Sequence, residues 1–169
     1  VMFKREADAA ESFGRALALE PNNLQAHKER ANALFRGAQW EPAVNSFNRV
    51  LELDTTCAAS LTSRAMALNK LGRTDEALQS FDRALAADPD LFEAHANRGG
   101  LLADLKRYAE ALAGNDHALA LQPENAGVHY NRALALEGLG RIEDAIDAYD
   151  MALTFDPVME LVAGKQLHA

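Results

Sequence analysis

Small and large apolar residues return along this chain with a fixed period. Ala9, Ala43, Ala77, Ala111 and Ala145 stand 34 residues apart. Seven residues after each comes Ala16, Val50, Ala84, Ala118 or Ala152, followed at once by Leu17, Leu51, Leu85, Leu119 or Leu153. An aromatic ring precedes the second small residue by three positions at Phe13, Phe47, Phe81 and Tyr149, with Asn115 in that place in one copy. Pro21, Pro89, Pro123 and Pro157 close the phrases, and Thr55 closes the remaining one. A second set lies upstream, with Ala31, Ala65, Gly99 and Ala133 each followed three residues later by Leu34, Leu68, Leu102 and Leu136. Spacings of three, four and seven place side chains on one face of a helix. Each period therefore predicts two amphipathic helices, and the chain as a whole reads as all-α.

The units run 24–57, 58–91, 92–125 and 126–159, within a single domain spanning 1–169. Residues 1–23 supply the second helix of an earlier, truncated unit, and 160–169 begin a further helix. Small residues let helix axes approach to about 8–10 Å. Gly72 and Gly140 suit the turn between helices, where a left-handed glycine often ends a helix. Proline stops the second helix of a unit. One helix pair cannot bury its own apolar face, so pairs must stack and each copy forms the core contact of its neighbour.

Composition narrows the function. The 169 residues carry a formal net charge of −8, which opposes binding to a phosphate backbone, so no nucleic acid is expected as partner. No run of about eighteen apolar residues is present, so no membrane span is expected. Cys57 is the only cysteine, which rules out an internal disulfide and favours a reducing, cytoplasmic setting. The chain opens on Val1 rather than Met, as a piece cut from a longer protein would.

The period of 34, the recurring small residues and the closing proline resemble the tetratricopeptide repeat family over essentially the whole chain. The resemblance implies a right-handed superhelix, an α-solenoid of stacked antiparallel helix pairs. Some positions depart from the family pattern. His27, His95 and His129 stand where a bulky aromatic is common, Gly37 replaces a leucine, and Asn115 replaces a core aromatic directly after Gly114. The second helix of the third unit is therefore expected to be the softest.

Candidate chemistry is sparse. The three histidines would sit on successive layers about 10 Å apart, too far to share an ion bound at about 2.0–2.1 Å. They read as packing residues rather than metal ligands. Arg30, Arg64, Arg98 and Arg132 recur once per unit, as do Asp82, Asp116 and Asp150 in the second helices. Two readings stand for this series: a repeated inter-helix tie, or an arginine ladder that meets an acidic ligand. There is no glycine-rich phosphate loop, no ligand pair at metal spacing and no recognisable nucleophile. No catalytic residue, metal or cofactor is expected in this chain.

The resemblance also implies a concave groove lined by the first helix of each unit, which would take a protein or peptide ligand. In the first two units it presents Lys28, Asn32, Arg36, Ser63 and Lys70; in the last two, Glu93, Asn97, Asp104, Tyr130, Asn131 and Glu137. One end is basic and the other acidic. Family members that grip a chaperone's C-terminal carboxylate share Lys28 and Asn32, but Glu93 would repel that carboxylate, so this reading is rejected. The units are also similar to those of bacterial proteins resembling O-linked N-acetylglucosamine transferase and its SPINDLY relatives. There, asparagines matching Asn97 and Asn131 hold the substrate backbone. Glu29 and Ser63 do not match, whereas 161–169 resembles the seam to a glycosyltransferase region. Two functions are thus expected in competition: the substrate-recognition arm of a larger enzyme, or a free-standing adaptor. Phe3 and Phe13, on the truncated first unit, also suggest pairing of two copies.

Overall fold

The computed structural model describes residues 2–159, with side chains described from Arg5 to Val158. The helix expected over 160–169, the seam at 161–169 and the side chain of Phe3 lie outside the described residues. The described chain contains α1 (Met2–Leu19), α2 (Leu24–Arg36), α3 (Trp40–Leu53), α4 (Ala58–Lys70), α5 (Thr74–Ala87), α6 (Phe92–Asp104), α7 (Tyr108–Leu121), α8 (Ala126–Gly138) and α9 (Ile142–Phe155), then a 3-10 turn at Pro157–Met159. Among the described residues there is no strand. The helices fall into two compact units, 1–91 and 92–169.

In the first unit each helix packs on the next, α1 on α2, α2 on α3, α3 on α4 and α4 on α5. Alanine makes this possible: Ala31, Ala43, Ala65 and Ala77 lose all exposure where helices cross. Phe47 and Phe81 fill the space beside them, each 1% exposed. Burying a ring of this size contributes about 1.5–3 kcal/mol. In the second unit α6 to α9 pack in the same order, with Ala111, Ala118, Ala133 and Ala135 fully buried.

The connections show which residue types matter. Gly72 and Gly140 take positive φ, 72° and 74°, as the turn between helices requires. Ala38 and Lys106 occupy the equivalent places with φ of 54° and 60°. Side-chain sterics disfavour that conformation by about 1–2 kcal/mol, so the packed helices on either side impose it. The other connection follows the second helix. Asp88, before Pro89, has φ −141° and ψ 95°. Asp54 has φ −141° and ψ 90° although Thr55 follows it. The extended residue is thus set by the stacking, and proline only reinforces it. Asn23 and Asn125 cap the next helices, their side chains accepting from Ala26 N at 2.9 Å and Val128 N at 3.1 Å.

Where the repeat calls for an aromatic ring, Asn115 is 0% exposed and neither Oδ1 nor Nδ2 has a hydrogen-bond partner. It lies against Gly99, where an added Cβ would overlap Oδ1 and stand 3.0 Å from Cγ. Even so, α7 is continuous through Gly114.

Candidate functional site

The first-helix face of the first unit comes from α2 and α4. Lys28 Nζ lies 3.7 Å from Asp54 Oδ2, and Arg36 Nε lies 3.1 Å from Glu6 Oε2. Two of the three cations read from the sequence as ligand contacts are therefore shared with carboxylates of the chain itself. Arg36 and Lys70 are exposed, while Asn32 and Ser63 are half-buried. Among the described residues no ion pair reaches Lys70. Phe35 stands edge-on to Trp40 and Phe47, with ring centroids 5.3 and 6.5 Å away, and packs against the core of this unit.

In the second unit the face comes from α6 and α8. The Asn97 Nδ2 donates to the Glu93 carbonyl one turn back at 2.6 Å, so its amide offers Oδ1 as the remaining acceptor. The Asn131 amide lies beside Gly100 on α6, where an added Cβ would stand 3.2 Å from Nδ2. Bare backbone at Gly100 leaves room for that amide. Tyr130 packs edge-on against Tyr149, centroids 5.6 Å apart. Tyr149 donates its phenol to Glu137 Oε2 at 2.9 Å. Burial first, and the Glu137 carboxylate second, push the Tyr149 pKa well above the usual phenol range. Glu137 is thereby engaged, whereas Glu93 and Asp104 are exposed. The sequence paired Asn97 with Asn131; the contact of the Asn131 amide with Gly100 came only with the packing of α8 on α6.

The arginine series ties helices together. Arg30 Nη1 donates to Ser46 Oγ at 3.0 Å, Arg64 donates from Nε to Asn48 Oδ1 at 2.7 Å and from Nη1 to Ser80 Oγ at 3.3 Å, and Arg132 Nε donates to Asp116 Oδ1 at 2.6 Å. Burial pulls the Arg64 pKa below its ordinary value, and Glu76 partly opposes this. Of the two readings, the inter-helix tie is the one these contacts support. The histidines brace connections: Nε2 of His27 meets the Pro21 carbonyl, and Nε2 of His129 the Pro123 carbonyl, both at 2.8 Å. His95 stacks on His117 with centroids 4.0 Å apart. Among the described residues no group of three side chains could hold a metal ion, and no helix is long and apolar enough to cross a membrane.

Helix pairs that repeat and bury alanine at their crossings define a helical-repeat class of protein. Tetratricopeptide repeat profiles match residues 7–56, 29–92 and 62–115, and another matches 126–157. The chain belongs to the tetratricopeptide repeat family. Its structure is similar to a crystal structure of MamA, with 19% identity, 92% of this chain and 91% of that one covered, and a TM-score of 0.85. It is similar to YrrB, described as a TPR protein with an unusual peptide-binding site, with 22% identity, coverage of 96% and 84%, and a TM-score of 0.80. The TPR domain of Arabidopsis OM64 is 31% identical over 68% of this chain and 94% of that one, with a TM-score of 0.65. At their identities the first two establish the fold alone. No curated protein matches the sequence.

Proposed function

We propose that this chain is a protein-interaction scaffold whose first-helix faces hold an extended protein segment. The observation that carries the reading is the second-unit face: Asn131 beside bare Gly100, with the Asn97 Oδ1 available as an acceptor on the neighbouring helix. A side-chain amide carries both a donor and an acceptor and so suits a peptide main chain, which needs one of each per residue. Lys70 on the first-unit face favours an acidic ligand residue there, and Glu93 and Asp104 on the second-unit face favour a basic one. Lys28, Arg36 and Glu137 contribute less than their formal charges, because each is engaged within the chain. The peptide-binding site in the description of YrrB supports the same use of this fold.

Each neutral hydrogen bond is worth about 0.5–1.5 kcal/mol net. A single Asn→Ala change should weaken binding modestly, and Asn97→Ala/Asn131→Ala by about tenfold. Peptide-array binding with the double variant tests this; undiminished binding rules out the asparagine clamp. The second reading is that these faces present substrates to an attached glycosyltransferase. Asn97 and Asn131 on neighbouring first helices favour it, and the gene sequence beyond Ala169 decides between it and a free-standing adaptor.

A further inference from the structure

The arginine tie has a missing member. Arg64 reaches back sixteen residues to Asn48, and Arg132 reaches back sixteen to Asp116. Sixteen residues before Arg30 stands Gly14, on α1, which brings no acceptor. The Nε of Arg30 is buried without a partner, although Nη1 keeps its bond to Ser46. An added Cβ at Gly14 would lie 3.7 Å from that Nε, so the bare glycine faces the nitrogen. A buried cationic N–H left unpaired is costly, and the cost is recovered when an acceptor arrives.

The same place opens into a groove of about 510 Å³ lined by Ala7, Ala10, Gly14 and Ala18 of α1 and by Arg30 and Leu34 of α2, with the polar side chains of Glu11, Arg15 and Gln39 also on its wall. Glu11, the carboxylate at its edge, is paired with Arg15 at 2.8 Å. The groove therefore has an apolar wall of small residues and an arginine whose Nε lacks the acceptor that its counterparts have. Arg30 as a residue is half-buried and lines this groove.

We propose that this groove is a second interaction surface, separate from the first-helix faces, and that it takes an aspartate or glutamate carried on an apolar segment of a partner protein. The carboxylate enters over Gly14 and meets the Arg30 guanidinium as Asp116 meets Arg132. Small apolar neighbours on the partner cover Ala7, Ala10 and Leu34. The charge decides the occupant: lysine or arginine is repelled, and an amide gains a hydrogen bond without the ionic attraction.

The test uses short helical peptides with an Ala-Leu face, glutamine elsewhere, and a single Asp, Glu, Asn or Lys at the centre of that face. Their binding to the full chain is measured by fluorescence anisotropy. The Asp and Glu peptides should bind about tenfold or more tighter than the Lys peptide. Gly14→Asn supplies the acceptor within the chain and should abolish the preference without lowering the melting temperature. Asn97→Ala/Asn131→Ala should leave it intact. Equal binding of the Glu and Lys peptides, or an undiminished preference in Gly14→Asn, overturns the proposal. So does loss of the preference in the asparagine double variant, which would place the peptides on the first-helix faces. Concentration-dependent self-association that Gly14→Asn abolishes would make the occupant a second copy and overturn the assignment to a partner protein.

Discussion

Asn115→Leu should stabilise the second unit, although it replaces a residue that is 0% exposed. Both polar atoms of Asn115 are buried without partners. Each such group costs roughly 1–3 kcal/mol relative to its hydrated state in the unfolded chain. Leucine is close in volume and removes both groups. Part of that relief is lost if its branched end crowds the site, since overpacking costs about 1–3 kcal/mol. A net gain of about 2 kcal/mol follows, which for a chain of this length moves the melting temperature by roughly 4–8 °C. Gly99 is the coupled position. Gly99→Ala alone should destabilise, because the new methyl overlaps Asn115 Oδ1. In an Asn115→Ala background the same methyl enters open space, so the two changes should be non-additive. Repeat arrays need not unfold in a single step. The assay is therefore hydrogen exchange over 108–121 alongside a urea melt. A loss of stability in Asn115→Leu would refute the stated cost of the buried amide, and strict additivity of the alanine pair would refute the overlap at Gly99.

Ala38→Gly and Lys106→Gly should each stabilise by about 0.5–1 kcal/mol, since both residues hold a positive φ that glycine takes without strain; unchanged or lower urea midpoints would contradict this. Ala77→Leu should cost about 1–3 kcal/mol at a crossing with no exposure, whereas exposed Gln79→Glu should be near neutral, and equal melting temperatures would show the crossing to be looser than it looks. The Arg73 hydrogen bond holds the Glu76 carboxyl below the usual glutamate range, and Arg107 does the same for Glu110. What these pairs contribute is present above the unfolded glutamate pKa and is lost as pH falls through the depressed folded value. Arg73→Gln should move the Glu76 titration upward by NMR, and an unmoved curve would assign the shift elsewhere.

The period of 34 was legible because every copy meets the same demand. A helix pair that packs between two others must keep alanine at each crossing and a large side chain beside it, so Ala43, Ala77, Ala111 and Ala145 carry the architecture in one dimension. The misfit at Asn115 was legible for the same reason, as a break in that demand. Its burial and its fit against Gly99 were not, because they depend on what the neighbouring helix leaves open. The recurring arginines were visible too, but their acceptors stand sixteen residues away on other helices. Charge on the candidate face was the least legible. Lys28, Arg36 and Glu137 look like ligand contacts in one dimension, yet each finds a partner in Asp54, Glu6 or Tyr149. The same holds for the connections, where Ala38 and Lys106 take a glycine's conformation and Asp54 makes its turn without a proline. Periodicity records what each helix must bury. Which polar groups pair, and which backbone angles are forced, is decided when helices distant in sequence close on one another, because those energies depend on distances that spacing along the chain does not specify.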